Sequence, residues 1–297
     1  MNKMKTPLVS VVVVAYNSSA TIIDTLESIK AQTFKDIELV VSDDGSKDNT
    51  TSIVERWMKE NEGCFVNCML IKSPYNTGTA GNLNRGCKAT KGEWIKSIAA
   101  DDILLPQAIE WYVNYVKDNP DSVFVFSKVK GIGDQEAMKN CIWLENDKYF
   151  LRLNKYEQMI LLCCWNYIPA ATFFIKSDLV QNIGGFDESI PLIEDWPFLL
   201  KIVHEGYPID YMPKVTAEYR FSPQSISQPG HSFSERYLND YRKSIALANQ
   251  YMRSHGIGAK LYVWTKEKKG SLGKVLSYLN LMNPFFWYLK YIIYKVR

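Results

Sequence analysis

Between about residues 8 and 130 the chain alternates strictly between short apolar runs and segments with helical spacing. Leu8 to Ala15, "LVSVVVVA", is a near-continuous β-branched run, the pattern of a strand buried on both faces of a parallel sheet. "SSATIIDTLESIKAQ" follows, with Ile22, Ile23, Leu26 and Ile29 at helical spacing and Ser18 or Ser19 available as the N-cap. "IELVVS", "FVNCMLIK", "EWIKSIAA" and "SVFVFSKV" read as further strands. "TTSIVERWMKE", "TAGNLNRGCKAT" and "LPQAIEWYVNYVKDNP" read as the helices between them, the last with Pro106 near its first turn and Pro120 just past its end. The alternation predicts an α/β fold, a doubly wound and mostly parallel sheet with helices on both faces. Ligands of such sheets bind outside the carboxyl ends of the strands.

Two acidic pairs occupy those ends. Asp43 and Asp44 close the second strand, and Asp101 and Asp102 follow the fourth. A third pair, Glu194 and Asp195, opens the helical segment "EDWPFLLKIVHEG". An isolated Asp-Asp is ordinary loop decoration, so the weight lies on the combination. A dinucleotide fold needs Gly-x-Gly-x-x-Gly after the first strand, and "AYNSSAT" has no glycine there; no Gly-x-x-x-x-Gly-Lys-Ser/Thr occurs either. Side chains must therefore replace a Gly-rich cradle. One carboxylate can accept the ring N–H of a pyrimidine base. A second can hold a divalent cation on a diphosphate, because hard cations choose oxygen ligands. A third can take a proton from an acceptor hydroxyl.

The stretch "VSVVVVAYNSSATIIDTLESIKAQTFKDIELVVSDDGSKDNT" closely resembles the opening of the family 2 inverting glycosyltransferases, which have the GT-A fold. The resemblance continues in order through "NTGTAGNLNRGCKATKGEWI", "AADDILLP", "GGFDESIPLIEDWPFLL" and "AEYRFSPQSIS", covering roughly residues 7 to 228. It implies transfer of a sugar from a nucleotide-sugar donor, UDP-linked first among candidates, to a saccharide or lipid-linked saccharide acceptor in surface-polysaccharide assembly. It implies that Ala15, Tyr16 and Asn17 lie beside the base, that Asp43 accepts from it, and that Asp44 supports that loop. Asn76, Gly78, Asn84 and Gly86 would flank the donor. Asp101, with Asp102 beside it, would hold Mg²⁺ or Mn²⁺ on the diphosphate, near Tyr219 and Arg220. Asp195 would be the catalytic base, with Glu194 contacting the acceptor or orienting the base.

Three departures from the family pattern stand out: Ala99 and Ala100 stand where an Asp often precedes the metal ligand, Leu83 replaces a frequent Arg, and Ser222 a frequent His. They motivate a competing reading, a nucleotide-sugar-binding protein that has lost turnover; intact Asp101 and Asp195 argue against it. A sugar nucleotidyltransferase would want a Gly-rich, basic first loop, which "AYNSSAT" lacks.

Beyond residue 130 the pattern loosens. "GIGDQEAMKNCIWLENDKYFLRLN" has no period. "YEQMILLCCWNYI" reads as a helix, "AATFFIK" as a strand, and "SDLVQNIGGFDE" as a helix stopped by Gly184-Gly185. Trp196, adjoining the Glu-Asp pair, is a candidate for stacking on a sugar. Residues 1–228 form the expected catalytic domain, with a donor half to about 130 and an acceptor half after it; 229–297 form a helical extension. The tail "LNLMNPFFWYLKYIIYKVR" is too interrupted to span a bilayer, but its aromatic and basic mix suits peripheral membrane contact as well as packing on protein. A net charge of +3 gives no case for nucleic acid. Six cysteines without a Cys-x-x-Cys pair and three scattered histidines argue for buried thiols rather than zinc. With no signal-like segment before the first strand, a cytoplasmic protein is expected.

Overall fold

The computed structural model describes residues 7–135, 138, 154–164, 166–222 and 234–254. Strands β1 (Val9–Ala15), β2 (Ile37–Asp43), β3 (Asn67–Lys72) and β4 (Trp94–Ala99) form a parallel block, interleaved by helices α1 (Ile22–Lys30), α2 (Thr50–Asn61) and α3 (Thr79–Lys88). Residues one apart on β1 face opposite sides of the pleat. Val11 and Val13 accordingly pack with α1 residues Ile22, Leu26 and Ile29, while Val12 packs with Ala80 and Leu83 of α3. Gly86 permits that second contact, since a Cβ there would lie 2.5 Å from a Val12 methyl.

The remaining strands are β5 (Ile103–Leu104), β6 (Phe124–Gly133), β7 (Phe174–Lys176) and β8 (Asp210–Phe221), in the order β3-β2-β1-β4-β7-β6-β8-β5. Helix α4 (Ala108–Asp118) precedes β6. Strand β7 runs antiparallel to both neighbours, and β5 antiparallel to β8, so the sheet is mixed on this side. Helices α5 (Lys155–Cys164), α6 (Ser177–Asn182), α7 (Asp195–His204) and α8 (Glu235–Ser254) complete the chain's described elements.

Several expectations change here. Neither Ser18 nor Ser19 caps α1 through its side chain. The Ser18 carbonyl accepts the Thr21 and Ile22 N–H groups, and the Ser18 and Ser19 amides donate to Thr50 and Asp48. Ala170–Thr172 is a 3₁₀ turn after Pro169, not strand, and only Phe174–Lys176 pairs. Gly184 and Gly185, with φ of +73° and +71°, follow α6 as a helix stop requires. Helix α8 carries the core past residue 228: Ala248 and Met252 are buried in one cluster with Leu162, Leu199 and Val203. Cys87 and Cys163 are buried, whereas Cys64 is exposed. Trp143, Trp165 and the tail after residue 254 lie outside the described residues. Among the described residues, no helix is long and apolar enough to cross a membrane.

Candidate active site

The parallel registers set Ala15 beside Asp43, and Val14 beside Ala99, so the first two acidic pairs emerge at one carboxyl edge. Each loop there is tied to its neighbour. The Ala15 carbonyl accepts the Asp44 N–H at 2.9 Å and Asn82 Nδ2 at 3.3 Å. Asn17 adopts φ +50°, accepts the Lys47 N–H through Oδ1 and donates its own N–H to Ser46 Oγ. Tyr16 stands out between these loops with its side chain exposed. Asp48 loses solvation, yet hydrogen bonds from Thr50 and Ser19 hold its carboxyl down at about 2.

Asp43 and Asp44 are both buried. The Asp43 carboxylate accepts the Gly45 and Ser46 N–H groups and the Ser46 hydroxyl, building the turn on which Asn17 rests. Asp44 accepts Thr77 N–H at 2.9 Å, Thr77 Oγ1 at 2.6 Å and Gly78 N–H at 2.8 Å, and pairs with Arg85 at 3.2 Å. Asn76 Oδ1 also accepts the Gly78 N–H.

After β4, the two aspartates diverge. Asp101 is half-buried; loss of solvation raises its carboxyl, and Arg220 opposes the rise. Arg220 donates through Nε to the Asp101 carbonyl at 2.8 Å and through its guanidinium to Asp24 at 3.2 Å. Asp102 is buried, its Oδ1 accepting the Arg220 N–H at 2.9 Å, and burial followed by Asp101 pushes its carboxyl well above the usual range. Behind it, fully buried Lys96 donates to the Ala171 carbonyl at 2.7 Å; burial lowers its ammonium to about 7 while Asp102 pulls the other way. Asp102, expected beside the metal, is buried and spends Oδ1 on the Arg220 backbone N–H. Among the described residues, no group of three or more His, Cys, Asp or Glu side chains stands together as a metal centre.

The third acidic pair reaches this edge through two contacts. Gly78, at φ +89°, lies so close to Pro191 that a Cβ would fall 2.5 Å from the proline ring, and the Ala80 N–H donates to the Pro191 carbonyl. Asn84 donates to the Phe186 carbonyl and to Glu188, and accepts the Phe186 N–H. The 186–191 segment is thus stapled to α3, and Glu194 and Asp195 follow at the start of α7. Asp195 accepts Trp196 N–H through Oδ1 and Asn166 Nδ2 through Oδ2, each at 2.7 Å. Burial, then Asp195, pushes the Glu194 carboxyl up to about 8. Burial also raises Asp195, but hydrogen bonds from Trp196 and Asn166 restrain it.

Residues 10–176 match the family described as glycosyl transferase family 2, more than half of the chain. The chain belongs to glycosyl transferase family 2. It is 32% identical over 197 residues to an uncharacterized glycosyltransferase of Rickettsia prowazekii, covering 66% of this chain and 58% of that one. An uncharacterized glycosyltransferase of Haemophilus influenzae is 28% identical over 86% of this chain and 77% of its own. The fold is similar to that of S. aureus TarS 1-349 in complex with UDP, at TM-score 0.64 and 18% identity, covering 89% of this chain and 72% of that one. It is also similar to that of the mannosyltransferase PcManGT from Pyrobaculum calidifontis in complex with GDP-Man and Mn²⁺, at TM-score 0.56 and 18% identity over 95% and 89% of the two chains.

Within the family 2 frame, the structure gathers Ala15, Tyr16, Asn17, Asp43, Asp44, Asn76 and Gly78 into one cluster of loops. Both ends of the Asn84 amide hold the 186–188 segment, so its side chain braces that segment against α3. Trp196 is a correction. Its ring is buried, its Nε1 donates to the Leu162 carbonyl and its face meets Tyr241, leaving no surface for a sugar. Sequence reading missed Arg85 beside Asp44, Asp24 beside Arg220, Asn166 on Asp195, and the α8 tyrosines. For Asn166 the signal was slight: one amide between an apolar run and Pro169.

Proposed function

We propose that this family 2 chain transfers a glycosyl group from a nucleoside-diphosphate sugar, UDP-linked first, to a hydroxyl of a saccharide or lipid-linked saccharide, inverting the anomeric carbon. The observation that carries the reading is the unlike condition of the third pair. Burial raises both carboxyls, but Glu194 is pushed to about 8 and is largely protonated at neutral pH, whereas hydrogen bonds from Trp196 and Asn166 restrain the rise at Asp195 and favour its ionised form. Pairs whose environments separate their proton affinities are the mark of an assigned acid and base. The Gly78–Pro191 contact ties this pair to the loops around Asp43, Asp44 and Asp101.

Asp195 then takes the acceptor proton as the hydroxyl oxygen attacks the anomeric carbon, and neutral Glu194 donates a hydrogen bond to the acceptor. Ala15, Tyr16, Asn17 and Asp43 seat the base, and Arg220 offers its guanidinium to the diphosphate. Asp101 fits a hard cation. Mg²⁺ and Mn²⁺ sites on nucleotides typically draw one or two protein carboxylates and complete the shell from phosphate and water. Mg²⁺ or Mn²⁺ bound there would neutralise charge on the departing diphosphate. Surface-polysaccharide assembly and tail-mediated membrane contact complete the proposal.

Thermal unfolding with UDP-, dTDP- and GDP-sugars, with and without Mn²⁺, tests it, because a ligand that binds the native state raises its stability. One nucleotide class should stabilise the protein, more so with Mn²⁺, and Asp101→Ala should abolish the Mn²⁺ increment. Stabilisation by none of them would overturn the reading. A binder without turnover would be stabilised yet release no nucleoside diphosphate with any acceptor.

A further inference from the structure

Asp195 is gripped from two directions. Its Oδ1 accepts the N–H of Trp196 in its own turn, and its Oδ2 accepts Nδ2 of Asn166, both at 2.7 Å. Asn166 belongs to a different element, the link between α5 and the 3₁₀ turn. Its amide is locked as well: Oδ1 accepts the Ile168 N–H at 3.2 Å. Exchanging the amide's oxygen and nitrogen would set an acceptor against the carboxylate and a donor against an N–H. One end of Asn166 therefore satisfies the backbone, and the other is committed to a single acidic side chain.

We propose that Asn166 is the positioning residue for Asp195, fixing its carboxylate for the acceptor and deciding which member of the acidic pair is ionised. The proposal rests on the reading of Asp195 as the base. A hydrogen bond to the charged form favours that form. Glu194 and Asp195 adjoin, both are buried enough to resist ionisation, and neither donor to Asp195 touches Glu194. Asn166 and the Trp196 amide thus break the pair's symmetry. Among the described residues, Tyr237 of α8 also faces the pair. Burial, then Asp195, Tyr241 and Glu194, push the Tyr237 phenol up to about 12, so it stays a neutral donor through the neutral range. Tyr237 therefore adds no charge to the pair there. With Asn166 absent, the proton would be shared more evenly and the base would be less ionised.

The test titrates the full chain, labelled with ¹³C at aspartate carboxyls, by NMR, the Asp195 signal being assigned from its loss in Asp195→Asn. Asn166→Ala removes the donor. Asn166→Leu removes it at nearly the same size and adds no charge, so it serves if the alanine variant does not fold. In either variant the Asp195 midpoint should move to higher pH. An unmoved midpoint in a folded variant would overturn the proposal. With a UDP-sugar that stabilises the protein, kcat for transfer should fall about tenfold to a hundredfold, the scale of one charged hydrogen bond. The rising limb of its pH profile should move up, and the donor KM should stay within about twofold. Wild-type kcat with a displaced midpoint would also overturn it. Absence of transfer by the wild type would remove the proposed function instead, and the titration would still decide whether Asn166 governs Asp195.

Discussion

Asp44 and Asp195 carry the same side chain into unlike surroundings. Asp44 accepts three hydrogen bonds from Thr77 and Gly78 and an ion pair from Arg85, so every partner it has is part of the fold. Asp195 has, among the described residues, two neutral donors, no cation, and an acidic neighbour that burial has pushed toward protonation. A carboxylate surrounded by donors and a guanidinium is held at rest. One that is short of partners keeps its appetite for a proton. Asp43 and Asp44 knit loops, and the proposed base stands apart from that use.

The largest expected effect tests the knitting. Asp44→Ala takes the carboxylate from Arg85 and leaves the Thr77 N–H without its acceptor, and removing one partner of a buried pair costs about 3–5 kcal/mol. Urea denaturation should show that loss, whereas Asp195→Asn should cost under about 1 kcal/mol. Equal losses would erase the contrast. Next comes the reverse experiment on transfer. Asp195→Asn should cut the rate at least about a hundredfold with nucleotide-sugar affinity intact, the usual scale for a positioned general base. A wild-type rate would move the base to Glu194 or outside the pair.

The third effect is on stability against pH. Glu194 binds its proton more tightly folded than unfolded, so its contribution is fully present below about 4.5 and is lost as pH rises toward about 8. Asp101, Asp102 and Asp195 are raised as well and act with the same sign. Lys96 acts oppositely: its ammonium is lowered from 10.5 to about 7, so its contribution is present above 10.5 and lost as pH falls through about 7. Denaturation midpoints at pH 5, 6.5 and 8 should therefore decline, and Glu194→Gln should make the decline shallower. An identical slope would mean that Glu194 is not raised. The smallest effect concerns Trp196→Phe, which keeps the ring packing but loses the bond to Leu162, about 1 kcal/mol. Transfer should change by less than about twofold; a larger loss would return Trp196 to the substrate.

What the sequence disclosed divides along the same line. The β-branched runs of β1 and β2 and the apolar spacing of α1 are local signals, and they put Asp43 and Asp101 at strand ends without any knowledge of partners. Arg85 meets Asp44 from 41 positions away, and Asn166 meets Asp195 from 29, with no periodicity to announce either. The same reason hid β5, two residues long, whose strand character comes wholly from pairing with Glu218 and Ala217. "AATFFIK" overran because Pro169 starts a 3₁₀ turn that composition alone does not separate from strand. Asn84 and Trp196 sat next to functional residues in the sequence while their side chains turned to the backbone and the core.

Strand β7 has one more consequence, for the birth of the protein. It is three residues long and sits between β4 and β6, both of which are made before it. Until it emerges from the ribosome, β4 offers one unpaired edge and β6, whose other neighbour β8 is made later still, offers two. The roughly 40 residues between the end of β6 and the start of β7 take about 2–8 s to synthesise at 5–20 residues per second. For that interval the nascent chain carries three strand edges of the kind that seed aggregation. Slowing translation between residues 133 and 174 should therefore lower soluble yield more than the same delay placed after residue 176.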